Sequence, residues 1–451
     1  LIDALVVGAG AAGLAAALEL RRAGLDVRLL EASLRPGGVM HSDSTQGFLF
    51  ERGPNTMQLK APALAFLRSH DLASALVPAA PASRLRFLWY GGRLEPVPMG
   101  PGAFLRTPLL SPRGKLRLLA EPFVARGDGS GESVAGFVSR RLGDEALERL
   151  VAPFLTGVYA GDETQLGAAA VFGRLVELER EHGSIVGGFV RGALRRSGAA
   201  REQGLAGSFS GVGGFGAFAA HLAAPLGEAV ATGVRVISLR RDDTTWCLET
   251  EGGGGGQPLR AARVVLAVSA NDAAGLLRSL DAEAADLLAG ILYAPIANLS
   301  LGLSRGDAAR RIEGFGFLVP RGAGLDLLGC LFMSQLFAGR APEGKELLTC
   351  FLGGVRWPAA VDAPDDELLR RVVKDLGATL GLRGAPELLA VTRWPRAVPQ
   401  PARDHAARIT RLRARVSRQQ GLALAGSYLD GVSVADTLAC GVRAAREVLS
   451  R

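Results

Sequence analysis

Cysteine is scarce in this chain: Cys247, Cys330, Cys350 and Cys440 are the four, and no two have CxxC spacing. The five histidines, His41, His70, His182, His221 and His405, form no HxH or HxxxH pair. Neither a disulfide framework nor a metal site is expected, and a reducing cytoplasm is the default setting. Long apolar runs are missing too. The apolar start, Leu1 to Leu20, is broken by Asp3, Glu19 and clustered glycines, so no membrane-spanning helix is predicted. Nothing present has the basic, apolar and small-residue order of a signal peptide, and residue 1 is Leu, so further residues are expected upstream. No long basic run or aromatic-studded basic stretch appears, which argues against a nucleic-acid partner.

What is present is a 451-residue chain, 48% hydrophobic, with 60 glycines, enough for a large core in two or three domains. Its net charge is +8 and Arg far outnumbers Lys. An arginine excess suits anionic partners such as carboxylated substrates, phosphates or an anionic membrane, and is equally the mark of a GC-rich coding bias.

The first fifty residues carry the strongest signal. Ala4 to Val7 reads as a buried parallel strand that runs into Gly8-Ala9-Gly10-Ala11-Ala12-Gly13, a GxGxxG. A helix follows from about Ala11 to Ala23, ended by Gly24, and a second strand, Asp26 to Leu30, finishes in Glu31. Gly8 permits the tight turn, Gly10 lets the backbone approach a pyrophosphate, and Gly13 lets helix and strand pack closely. Free amides at the helix start hold the diphosphate, and Glu31, 23 residues after Gly8, accepts from the adenosine ribose. Gly211-Val212-Gly213-Gly214-Phe215-Gly216 fits the same pattern, but Ser208-Phe209-Ser210 does not read as a buried strand, so this match is discounted.

Arg35-Pro36-Gly37-Gly38 and Glu51-Arg52-Gly53-Pro54-Asn55 follow. The RxGG resembles the flavin-containing amine oxidase superfamily, in which this loop runs along the FAD diphosphate. An arginine to pair with phosphate and two glycines for close approach agree with that role.

Further on, Ala61 to Val77 reads as a helix and Leu85 to Val97 as a hairpin around Gly91-Gly92. Met99 to Arg201 is mostly helical, with Ser111-Pro112 as a helix start and Val171 to Glu181 as an amphipathic helix. Ala217 to Leu226 is helical. Val234 to Leu239, Trp246 to Thr250 and Arg263 to Val268 form a three-strand meander, with Gly252 to Gly256 as a hairpin tip. Asn298 to Leu303 and Leu347 to Leu352 are strands able to floor a second domain. A strand at Leu422 to Ala425 precedes a closing helix to about Leu449.

Several stretches together resemble the protoporphyrinogen oxidase family along nearly the whole chain. They are Glu51 to Thr56, Thr156-Gly157-Val158-Tyr159-Ala160-Gly161-Asp162, Glu313 to Pro320, Arg393-Trp394-Pro395-Arg396-Ala397-Val398-Pro399-Gln400 with His405, and Ala425 to Val434. The resemblance implies an α/β fold, α+β overall. A Rossmann-type FAD-binding domain would take 1–60, 207–275 and 390–451, a mixed-sheet substrate domain 61–98 and 276–389, and a helical membrane-associating domain 99–206. It implies noncovalent FAD held by Gly8, Ala9, Gly10, Ala11, Ala12, Gly13, Glu31, Ala32, Arg35, Gly38, Val39, Gly53, Pro54, Asn55, Thr56, Val236, Trp394, Ser427, Val432, Ser433 and Val434. The helix starting near Ser433 would point its N-terminus at the flavin, worth ~0.3–1 kcal/mol for the reduced form. Arg86 matches an arginine that pairs with a substrate propionate, with Arg84 on the same strand face. Gly157 matches a backbone position beside the macrocycle, and Phe315, Leu318 and Phe351 match apolar residues that sandwich it; by periodicity alone those three read as core. The chain departs from the pattern at Val39-Met40, where many relatives have Gly-Lys or Gly-Arg, and at Pro401, where an aromatic is usual.

The reaction so implied is the six-electron oxidation of protoporphyrinogen IX to protoporphyrin IX, the penultimate step of haem biosynthesis. Each of three steps gives a hydride to the flavin, and oxygen is the expected acceptor, with a quinone left open. No catalytic base is identified. Basic residues near Arg113 and the apolar pairs Phe104-Leu105 and Leu109-Leu110 suit peripheral attachment to the inner face of the cell membrane. An ordinary helical subdomain reads equally from these residues, and a homodimer is left open. Coproporphyrinogen III oxidation, amine or carotenoid oxidation, and a noncatalytic flavin or porphyrin carrier remain alternatives.

Overall fold

In the computed structural model, residues 1–127, 131–188, 191, 207–253 and 257–450 are described. The tip of the hairpin expected at Gly252 to Gly256 lies partly outside them, as does the end of the helical stretch expected to reach Arg201.

The expected opening unit forms. Ile2–Val7 is a strand, Ala11–Arg22 a helix and Val27–Glu31 the next strand, paired parallel with the first. Alanine and leucine fill the helix because ten of its residues are buried between the sheet and the closing helix Val434–Leu449. Ile2–Val7 also pairs parallel with Leu259–Leu266, which pairs parallel with Leu422–Leu424. Val230–Thr232 adds a parallel strand beyond Val27–Glu31. On the other side Thr245–Gly252 and Val234–Asp242 complete a seven-stranded sheet as antiparallel strands. The parallel strands end together at Val7, Glu31 and Leu266, and a crevice at the carboxyl ends of parallel strands is where ligands bind in such sheets.

A second seven-stranded sheet runs in the order Glu387–Pro399, Tyr293–Ser304, Lys345–Gly353, Gly329–Phe332, Gly316–Leu318, Phe87–Tyr90, Arg93–Pro96. The expected strands Asn298 to Leu303 and Leu347 to Leu352 lie at its centre, paired antiparallel. Gly91 and Gly92 supply the two positive φ angles of the hairpin at its edge. A helical layer covers Pro101 to His182 and has its own small core of Val134, Phe137, Val138, Leu155, Leu166, Ala168 and Ile185. Ser111 caps the helix Pro112–Leu119 by accepting from the Gly114 amide. Among the described residues no helix is long and apolar enough to cross a membrane.

Three expectations are corrected. The helix begun at Ala61 stops at Ser69, where Asp71 takes a positive φ; the chain then makes a short turn and the strand Leu76–Pro78. Ser208–Gly211 is a fully buried strand, although two serines hide it from a hydrophobicity reading. It sits between Met57–Gln58 and Leu76–Pro78 in a three-stranded sheet and leads into the helix Gly214–Ala223, so the second glycine-rich match does have strand and helix around it. Finally, Arg84 ends a 3-10 turn, Pro81–Arg84, and does not share a strand face with Arg86.

Candidate functional site

The glycine-rich turn is built by contact. Gly8 has φ +96°, and a Cβ there would come within 2.6 Å of the Ala267 carbonyl. A side chain on Gly13 would overlap the Gly8 carbonyl, so the helix can lie this close to the strand only with glycine. At Gly10 the opposite holds: a Cβ would meet no protein atom within 4 Å, because its Cα faces open space. Gly10 caps the helix Ala11–Arg22 without a side-chain hydrogen bond, and no acid stands in the first turn. The helix start thus offers positive dipole and free amides to an anion.

That space is part of a cavity of about 1510 Å³ that runs between the two sheets and the helical layer. Small-molecule pockets usually span roughly 300–1,000 Å³, so this one has room for a cofactor and a second molecule. Of the expected cofactor residues, Gly8, Gly10, Ala11, Ala12, Glu31, Ala32, Gly38, Val39, Gly53 to Thr56, Val236, Ser427 and Val432 to Val434 lie on its wall.

Four others are elsewhere, each for a visible reason. Ala9 donates its amide to Glu31, and Gly13 is pressed against Gly8. Arg35, expected to pair with phosphate, turns its guanidinium into its own loop and donates to the carbonyls of Gly38 (3.0 Å), Met40 (3.3 Å) and Pro36 (3.4 Å). Trp394 donates its indole N–H to the Arg52 carbonyl at 2.8 Å, and the Asn298 side chain donates to the same oxygen at 3.1 Å. These two fix the peptide that opens the Gly53 to Thr56 wall.

The residues present fit FAD. Asn55 Oδ1, Asn271 Oδ1 and Tyr428 Oη are buried without a protein partner, and all three residues line the cavity. Buried polar atoms are rarely left unpaired, so a bound polar molecule is their natural partner. Asn271, Tyr293 and Arg396 are wall residues that sequence reasoning missed. Asn271 was accessible to it, because it follows the carboxyl end of the parallel strand Leu259–Leu266, beside Ser269, which caps the next helix.

The second glycine-rich match holds no such space. The Glu51 carboxylate accepts from the Phe215 amide at 3.1 Å, and Ser42 Oγ accepts from Gly216 at 2.9 Å. Arg340 pairs with Glu51 at 2.8 Å in a site closed to water. Burial pushes the Glu51 carboxyl above its ordinary value, against the pull of Arg340 and Ser42. This helix N-terminus is occupied by the protein's own carboxylate.

All five expected substrate residues reach the same cavity. Arg86 lies over the Phe315 ring at 4.4 Å from its centroid, and no carboxylate pairs with it among the described residues. Burial holds its guanidinium below the ordinary arginine value. Gly157 faces Leu318, whose Cδ2 would stand 2.5 Å from a Cβ at 157, and Phe351 completes the apolar wall. Arg356 braces this lobe from behind, donating to Thr156 Oγ1 at 3.1 Å and to the Val319 carbonyl at 2.9 Å. The mouth is formed by Met99, Phe154 and Val158, which line the cavity and are also exposed.

Comparison with known proteins adds a consistent picture. The sequence profile described as flavin containing amine oxidoreductase matches residues 11–449. The chain is 34% identical to the chloroplastic protoporphyrinogen oxidase of Oryza sativa subsp. japonica, over 96% of this chain and 85% of that protein. It is 29% identical to the coproporphyrinogen III oxidase of Bacillus subtilis (strain 168), over 99% and 97% respectively. Among solved structures, a protein of Exiguobacterium sp. 255-15, provisionally named protoporphyrinogen oxidase, superposes with a TM-score of 0.82 at 25% identity, over 100% of this chain and 99% of that one. Cyclohexylamine oxidase from Brevibacterium oxydans IH-35A shares the fold at a TM-score of 0.70 and 17% identity, over 100% of both chains.

Proposed function

Because the chain belongs to the flavin containing amine oxidoreductase family, we propose that it oxidises protoporphyrinogen IX to protoporphyrin IX in haem biosynthesis, with dioxygen as the final acceptor. It is an FAD-dependent oxidoreductase. The observation that carries the substrate reading is the second lobe of the cavity, where one unpaired, half-buried arginine, Arg86, stands at the edge of the apolar faces of Phe315, Leu318 and Phe351. A flat macrocycle with a carboxylate at its edge fits that combination.

Bound FAD supplies a two-electron acceptor, used three times per substrate. The protein's own groups do the rest. The leading amides of the helix Ala11–Arg22 hold the diphosphate, and Glu31 holds the ribose. Arg86 takes a propionate and so fixes how the ring lies. Phe315, Leu318 and Phe351 press on the macrocycle and exclude water from it, so that positioning and desolvation are the protein's contribution. No histidine is on the described wall, and its carboxylates are Glu31, Asp272 and Asp436; Asp436 is ion-paired with Lys60 at 2.6 Å.

Coproporphyrinogen III is the second reading, since relatives carry both names. It has four carboxylates and asks for more cations. Those on the described wall are Lys60, Arg86, Arg235 and Arg396. Lys60 is paired with Asp436 and Arg235 adjoins Val236 on the cofactor side, which leaves Arg86 and Arg396, two cations that match the two carboxylates of the dicarboxylate. Anaerobic mixing with each porphyrinogen, followed by flavin absorbance, decides between them. Faster bleaching by coproporphyrinogen III overturns the substrate assignment, and no bleaching by either overturns the activity.

We also propose peripheral attachment to the inner face of the cell membrane. Met99, Leu105, Leu116, Leu119 and Phe123 are exposed apolar residues near the basic Arg113 and Lys115. Cosedimentation with anionic vesicles, lost in a Leu116→Ser, Phe123→Ser variant, is the expected result; equal sedimentation without vesicles would contradict it.

A further inference from the structure

A second, smaller cavity of about 280 Å³ lies against the first. Tyr159, Pro399, Ser427, Tyr428 and Val432 line both, so the two are separated only by these side chains. None of the mouth residues Met99, Phe154 and Val158 belongs to it. Its outer rim is formed by exposed small residues, Ala170 and, one turn apart on the helix His405–Val416, Ala406 and Thr410. Inside, Ile409, Leu429 and Pro401 are buried and apolar, while the charged Arg413 and Asp430 are exposed and paired with each other at 2.6 Å. Burial keeps the His405 imidazole below its ordinary value. The space is far too small for a tetrapyrrole; apolar and polar side chains share its lining, and it has room for a small molecule.

The proposed reaction gives such a route a use. Six electrons leave one substrate in three rounds, and the ring fills the large lobe and its mouth throughout. In every round a fresh acceptor has to arrive while the mouth is blocked. We infer that the cavity between Ala406, Ile409 and Tyr159 is the entry path of dioxygen, separate from the substrate mouth. In each round one dioxygen takes two electrons and two protons and leaves as hydrogen peroxide, so three of each pass per porphyrin formed. This inference rests on dioxygen being the acceptor.

The test uses the flavin-loaded protein, photoreduced without substrate and mixed with dissolved dioxygen. Ala406→Trp and Ala170→Trp place bulk at an exposed rim, and Ala406→Ser is the control without bulk. The tryptophan variants should lower the second-order reoxidation constant by about fivefold or more, as blocked access does. Anaerobic reduction by protoporphyrinogen IX should stay within about twofold of the parent, because the mouth is untouched. Crystals under xenon should show a xenon atom beside Ile409 that the Ala406→Trp protein lacks. Unchanged reoxidation in both tryptophan variants, or no xenon there, overturns the path while leaving dioxygen as acceptor. A parent protein that dioxygen scarcely reoxidises overturns the acceptor itself, and the path with it.

Discussion

The Glu31 carboxylate accepts the Ala9 amide at 2.7 Å through one oxygen and the Ser33 amide at 2.8 Å through the other. One side chain therefore joins the glycine-rich turn to the loop after the second strand. Glu31→Ala removes a ribose acceptor and also orphans the Ala9 amide. Hydrogen bonds to a charged group are worth about 1.5–3 kcal/mol, so FAD affinity should fall roughly 10- to 100-fold. Equilibrium dialysis and the flavin-to-protein absorbance ratio measure this, and full flavin content in the variant would contradict the assignment.

Arg86 has the Phe315 ring beneath it and no acidic partner among the described residues. Arg86→Ala should leave FAD content normal and raise KM for the porphyrinogen about tenfold or more, the loss expected when a charged partner is removed. Steady-state kinetics at fixed oxygen settle it: an unchanged KM removes Arg86 from the substrate site.

Arg356 is half-buried with its Nε unpartnered, and burial, with Arg321 adding to it, pushes its guanidinium down to about 10. Burying a cation in this way costs stability, so Arg356→Met should change folding stability by no more than about 1 kcal/mol. It should nevertheless raise KM severalfold, because the walls at Thr156 and Val319 lose their common anchor. A parallel loss of melting temperature with no change in KM would reduce Arg356 to a general structural role.

Acid should loosen the helical layer first. Burial pushes the Glu121 carboxyl up, but the Ser184 hydroxyl at 2.6 Å, the Ile185 and Val186 amides and Arg141 outweigh it and hold it below the ordinary 4.5. Glu145, Asp162 and Glu179 in the same layer are also lowered, by hydrogen bonds that overcome burial. A depressed carboxylate contributes its stability above the unfolded value and loses it as pH falls through the folded one. Glu51 and Asp375, raised by burial, bind a proton more readily when folded and have the opposite sign. Hydrogen exchange between pH 5 and roughly 3 should show protection lost around Glu121 before the strands of either sheet; the reverse order would refute this.

Much of the framework was legible because it depends on local chemistry. The strand, glycine turn, helix and acid at residues 4–31 follow from steric rules that act within one βαβ unit. Ser208–Gly211 escaped because its serines are buried by partners far away in the chain, Met57–Gln58 and Leu76–Pro78. Arg35 and Trp394 lie beside the site, but their donors are spent on the carbonyls of neighbouring loops, and no linear pattern reports where a long side chain turns. The unpartnered polar atoms of Asn271 and Tyr428 likewise emerge only once separate strands end at one edge.

That edge takes in Val7, Leu266 and Leu424, from the first, middle and final parts of the chain. Two of its pieces, Leu422–Leu424 and the helix Val434–Leu449 that packs on Ala11–Arg22, are synthesised long after the glycine-rich turn. A nascent chain therefore has the anion-binding turn before it has the helix that packs behind it. A polypeptide that lacks Val434–Leu449 should therefore remain pale whatever the supply of vitamin.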